Sequence, residues 1–164
     1  DTIGKTVYMS SPKGLAHYFD DTERDIVLFS GGTGYAPIRA MIEQLRQKKF
    51  SRKVTAFIAA RDIESLYMLD EMAHFSSCLQ NLTVHFCADK LHQPHDIVQA
   101  FLDSLAHGVI GNYGDKRIYI AGPPPMVINM RDYILDNGAH DDLIHVDHEI
   151  IAQYLDRYDP SQEK

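Results

Sequence analysis

Positive charge is scarce in this chain: 16 lysines and arginines face 23 aspartates and glutamates, a formal net charge of −7. A nucleic-acid surface needs a basic stripe to neutralise phosphates, so that class of partner is excluded. An anionic cofactor is not, because a helix N-terminus and one or two arginines hold it locally. Cysteine is scarce too. Cys78 and Cys87 fit neither a CxxC nor a metal-ligand spacing, and with no four-cysteine motif any iron–sulfur centre lies outside this sequence. No apolar run is long enough to span a membrane. The start of the chain shows no cleavable signal pattern, so free thiols in a reducing cytoplasm are expected. Internal repeats, low-complexity tracts, an HExxH motif and helical i, i+4 histidine pairs are all missing. His140, His145 and His148, with Asp141, Asp142 and Asp147, therefore specify no metal geometry, and no metal site is expected. Asp70-Glu71 reads as a helix surface, not as a glycosidase pair.

The most informative stretch runs from Ile26 to Pro37. Ile26-Val27-Leu28-Phe29 is a continuous apolar run that reads as a strand buried on both faces. It breaks into Gly31-Gly32-Thr33-Gly34, and Pro37 sits where a helix begins. Ile38, Met41, Ile42 and Leu45 then follow at helical spacing,. Glycines at a strand-to-helix turn let backbone approach a ligand. The free N–H groups of the helix start favour an anion there by roughly 0.3–1 kcal/mol when exposed and about 2 when partly buried. A tight turn with no ligand is the plain alternative. The GxxxxGK[ST] spacing of a mononucleotide P-loop is absent,.

At 164 residues the chain suits a single core,. Strand and helix patterns alternate along it, as in a parallel α/β sheet. Val54–Ala59 reads as strand two. A helix capped by Asp62 would bury Leu66, Leu69 and Ala73. Leu82–Phe86 alternates apolar and polar, so strand three suits a sheet edge. A helix after Pro94 would bury Ile97, Val98, Phe101, Leu102 and Leu105. Arg117–Ala121 reads as strand four, and Val127, Met130, Ile134 and Leu135 mark a helix ending at Asn137-Gly138. The short Leu143–Val146 reads as strand five, the other edge. Right-handed crossovers then fit a doubly wound, three-layer α/β/α fold with strand order 3-2-1-4-5. In that order the winding reverses between strands one and four, and open α/β sheets bind ligands beside such a reversal. The turns at Gly31–Gly34 and at Gly122–Pro125 both open there.

Consecutive prolines in Ala121-Gly122-Pro123-Pro124-Pro125-Met126 fix φ and remove N–H groups, making a stiff, apolar wall with room at Gly122 for a flat ring,. Prolines opening a helix with no ligand in play are the plain reading of the same residues.

Gly31–Pro37, Ala60–Asp62, Leu66–Glu71 and Gly122–Met126, in this order and spacing, resemble the pyridine-nucleotide domain of the ferredoxin–NADP⁺ reductase superfamily, in particular reductase components of bacterial oxygenases. The family fold is the same five-stranded sheet. The resemblance implies that Gly31, Gly32, Thr33 and Gly34, with Pro37 behind them, hold the pyrophosphate and nicotinamide ribose. It places Arg61 and Asp62 at the adenosine ribose, where a carboxylate favours NADH over NADPH and an arginine argues the other way. Ala121, Gly122, Pro123, Pro124 and Met126 would line the nicotinamide. Residues 1–20 look like the last strand and loop of a flavin-binding barrel, 21–148 like the NAD-binding domain, and 149–164 like an added amphipathic helix and tail. That helix carries Ile150, Ile151, Tyr154, Leu155 and Tyr158 on one stripe, expected to pack on its own domain first and on a partner second.

The implied activity is that of a flavin-dependent reductase domain taking hydride from NADH to FAD, with electrons passing on to an iron–sulfur centre or an oxygenase. Hydride transfer needs two rings held about 3–3.5 Å apart and no acid or base, so no catalytic side chain is assigned. FAD would be bound mainly by a flavin-binding domain missing from this chain. Three departures stand out: Ala121 replaces the family's cysteine, no aromatic ring sits in Asp147-His148-Glu149, which aligns with the family's terminal aromatic motif, and the amphipathic C-terminal stripe is an addition. The first two favour a second reading, a nucleotide-binding sensor or assembly subunit with weak or lost redox activity; a third, separate reading is a flavodoxin-like mononucleotide domain.

Overall fold

The computed structural model describes residues 4–6, 8, 18, 23–60, 68–88 and 110–157. Arg61, Asp62, Leu66, the helix expected after Pro94 and most of the first 20 residues lie outside this set.

Successive strand side chains point to opposite faces, so an unbroken apolar run needs cover on both sides. β1 (Ile26–Gly31) and β2 (Val54–Ala60) are buried along their whole length. β3 (Leu82–Ala88), β4 (Arg117–Ala121) and the two-residue β5 (Ile144–His145) complete a parallel sheet in the order β3-β2-β1-β4-β5. This is the expected order.

Each face has its own core. Ile26 and Leu28 pack with α1 (Tyr35–Gln47) and α2 (Leu69–Cys78), whereas Val27 and Phe29 pack with Met126, Val127, Met130 and Ile134 of α3 (Pro124–Asp136). The result is three layers. α3 ends as expected: Gly138 takes φ +92°, its N–H reaches the Leu135 carbonyl, and the Ala139 N–H reaches that of Ile134, the paired bonds of a Schellman stop. α1 stops in the same way at Lys49, φ +54°, with buried Phe50 closing the motif on Leu45. No glycine announced that stop.

α2 departs from expectation. It starts at Leu69, and its buried stripe is Met68, Met72, Phe75 and Leu79, while Leu69 and Ala73 face outward. Larger methionine and phenylalanine side chains remove more apolar surface from water than alanine does, so they take the core side.

β3 lies at the edge, but its burial is less regular than its alternation. Phe86 is exposed, and His85 stacks on Phe57 at 5.0 Å, extending a ring stack from Phe29. His85 Nε2 is buried with no hydrogen-bond partner among the described residues. Burial, and then nearby Lys53, depress its pKa. A histidine depressed on folding binds protons more readily in the unfolded chain, so its neutral form is stabilising at higher pH and that stability is lost as pH falls below the usual histidine range. Thermal midpoints should therefore drop between pH 7.5 and 5.5 by more in the wild type than in His85→Phe; equal drops would show that His85 stays uncharged or is solvated.

α4 (His148–Arg157) lies against α3, with Ile151 on the second core and Tyr154 half-buried. Packing on its own domain accounts for that side of the stripe, while Leu155 stays exposed.

Candidate functional site

β1 ends in a turn whose four residues divide into two kinds. Gly32, Thr33 and Gly34 form a 3-10 turn that runs directly into α1, and the Tyr35 N–H bonds back to the Gly32 and Thr33 carbonyls. Gly32 takes φ +53° and nothing lies within 4 Å of where a Cβ would stand. With Thr33 it is exposed. Neither the turn nor α1 has a side-chain cap, and neither has an acidic residue in its first turn. The exposed part of this helix start, Gly32 and Thr33, thus carries no capping side chain and no acidic residue of its own first turn, the electrostatic setting an anion requires,.

Gly31 and Gly34 are buried and do a different job. A Cβ on Gly34 would collide with the Ala121 carbonyl and lie 2.6 Å from the Gly122 nitrogen. On Gly31 it would overlap the Met126 sulfur and approach Pro123 Cδ to 3.5 Å, and on Gly122 it would meet Met126 Cε at 2.6 Å and the Gly31 carbonyl at 3.1 Å. The turn after β1 and the turn after β4 are therefore in backbone contact. Ser30 pairs in register with Ala121, which sets both turns at the same end of the sheet. Met126 is buried beneath both, so it supports the wall from behind. Half-buried Gly122 and Pro124 and exposed Pro123 form its outer surface, with Ala121 half-buried at its base. Pro37, in the first turn of α1, is exposed beside Ala36.

Three further groups were not singled out from sequence. Ser30 is fully buried one residue before the turn, and its hydroxyl has no hydrogen-bond partner among the described residues. Tyr35, the first residue of α1, is buried and donates its hydroxyl to Glu71 Oε2. Arg39 Nε donates to Glu71 Oε1 at 2.6 Å. The Tyr35 bond, followed by that from Arg39, holds the Glu71 carboxyl below its usual range, so it is ionised at neutral pH. Glu71 is thus a cross-helix link where the sequence suggested a bare surface. A signal was present: Tyr35 and Arg39 lie four apart on α1, spaced to share one partner.

Among the described residues no group of three or more His, Cys, Asp or Glu could hold a metal ion, and no helix is long and apolar enough to cross a membrane.

Comparison with known proteins gives the same outline. The family model of the oxidoreductase NAD-binding domain matches residues 28–132. The electron transfer component of toluate 1,2-dioxygenase from Pseudomonas putida is 27% identical over 139 residues, covering 83% of this chain and 40% of that protein. The flavohem-like FAD/NAD binding domain of nitric oxide dioxygenase from Vibrio cholerae shares its fold with a TM-score of 0.65 at 19% identity, over 82% of this chain and 54% of that one. A mutant ferredoxin–NADP⁺ reductase from Plasmodium falciparum does so with a TM-score of 0.65 at 16% identity, over 76% and 52%. The chain spans about two fifths of the curated relative's length.

Proposed function

The chain belongs to the oxidoreductase NAD-binding domain family, and on that premise we propose that it is the NADH-binding half of a flavin-dependent reductase. The observation that carries this reading is the backbone contact of Gly34 with Ala121 and Gly122. On this reading the contact would make one cleft, with an anion-seeking floor at Gly32 and Thr33 and a stiff apolar wall at Gly122, Pro123 and Pro124. A dinucleotide asks for that pair: donors for its pyrophosphate and a flat surface for its nicotinamide.

The chain's own contribution is binding, orientation and exclusion of water. Uncapped N–H groups at Gly32–Gly34 would hold the pyrophosphate. Proline φ angles are fixed, so the wall keeps its shape without a ligand, and Met126 braces it from below. NADH, when bound, would supply a hydride to FAD held by a flavin-binding domain. Residues 1–20 as the end of that flavin domain, 21–148 as the nucleotide domain and 149–164 as an added helix are part of this proposal. So are Arg61 and Asp62 at the adenosine ribose, and an oxygenase or iron–sulfur protein as electron acceptor. The toluate dioxygenase component, itself named for electron transfer, supports the last. The Ala121 position favours the sensor reading, since half-buried methyl replaces the family's thiol there.

Calorimetry with NADH, NADPH and FMN tests binding: NADH is expected to bind most tightly, and tighter FMN binding would replace this reading with a flavodoxin-like one. Anaerobic stopped-flow mixing of NADH with the FAD-loaded full-length protein is expected to bleach the flavin band. Binding without bleaching would leave the sensor.

A further inference from the structure

Ser30 is the last side chain of β1 before the glycines, is fully buried, and its hydroxyl has no hydrogen-bond partner among the described residues. Strand alternation puts it with Ile26 and Leu28 on the face that α1 covers,. Its in-register neighbours there are Ile58 on β2 and Ala121 on β4, both apolar. The start of α1 lies over this row, since a Cβ on Gly34 would collide with the Ala121 carbonyl. A protein partner for the hydroxyl therefore has to come from above, from the turn at Gly32–Gly34 and the helix it opens. That turn is otherwise engaged: the Gly32 and Thr33 carbonyls accept from the Tyr35 N–H.

A buried hydroxyl without a partner has lost its water and gained nothing in return, and native structures carry few such groups. Close packing does not explain this one, because alanine would let α1 approach the sheet equally well without that penalty. We infer that Ser30 is a positioning residue for the glycine turn, its hydroxyl bonded only when a pyrophosphate occupies that turn, a statement that rests on the nucleotide-binding reading above. An anion draws the N–H groups of the helix start toward itself. The 3-10 turn, whose hydrogen bonds are poorly aligned to begin with, then shifts and frees a carbonyl on its underside for Ser30. A bond made in the occupied state and missing in the empty one adds to the affinity for the ligand. The turn is held at its occupied setting from below, by a group that never touches the dinucleotide.

The test compares wild type with Ser30→Ala, by thermal midpoint without ligand and by chemical-shift titration with NADH, ADP-ribose and adenosine into the millimolar range. Ser30→Ala removes an unpaired group at nearly equal volume, so the midpoint is expected to hold or to rise by about 1–3 °C. Affinity for NADH and for ADP-ribose, which share the pyrophosphate, is expected to fall by the same factor, about three- to tenfold. Adenosine, which carries no phosphate, should bind as to wild type. A serine with a merely structural role would lose stability and affinity together. A lower midpoint for Ser30→Ala overturns the inference, because the hydroxyl would then be bonded in the empty protein, to water or to the chain. Unchanged NADH affinity overturns it as well, as does a loss that ADP-ribose escapes or that adenosine shares in full. A wild type that binds no NADH removes the nucleotide reading itself, and this inference with it.

Discussion

Gly34→Ala is expected to destabilise the fold by about 3 kcal/mol, the upper end of what overpacking a well-filled site costs. The penalty is not conformational, because Gly34 has φ −62°, where alanine is at ease. It is steric: the added methyl would collide with the Ala121 carbonyl, which is backbone and has no rotamer to escape into. Relief requires β1 and β4 to part at their carboxyl ends or the start of α1 to swing outward. Either motion opens the contact on which the cleft depends, so NADH binding should fall with stability. Urea denaturation checks the first effect and calorimetry the second. An unchanged midpoint would show that the two turns do not touch.

Gly32→Ala is expected to separate binding from folding. The left-handed conformation at φ +53° costs alanine about 1–2 kcal/mol,, yet there is open space around the new methyl. The fold should survive. The methyl would occupy open space at the exposed turn, where the proposed phosphate has to approach, so NADH affinity should drop by about tenfold or more, some 1.4 kcal/mol,. Gly138→Ala is the control, since Gly138 takes φ +92° at the far end of α3 with equally open surroundings. It should lose comparable stability and no affinity. Equal NADH binding by wild type and Gly32→Ala would remove the turn from the site.

Much of this molecule was legible before any coordinates. The unbroken apolar runs of β1 and β2 and the alternation in β3 placed centre and edge correctly, because burial on one face or two leaves different periodicities. The α3 stop was readable at Asn137-Gly138, and the matching stop at Lys49 was not, since lysine carries no preference for that backbone. The face of α2 was misread because Leu66, Leu69 and Ala73 form one stripe and Met68, Met72, Phe75 and Leu79 another at the same helical spacing, so periodicity alone does not say which stripe turns to the core,. Glu71 looked like any exposed helix acid until its partners, 32 and 36 residues away, were brought alongside.

Residue order alone determined the strand sequence, the reversal of winding beside β1 and the chemistry of the two turns, because these follow from local periodicity and from glycine and proline backbone limits. Only the tertiary structure divided the four-residue turn into Gly32 and Thr33 facing solvent and Gly31 and Gly34 pressed against the β4 turn. It alone put Met126 behind the wall and tied Tyr35 to Glu71. Close approach between segments far apart in the chain is set by how the layers pack, and nothing in the neighbouring residues encodes it.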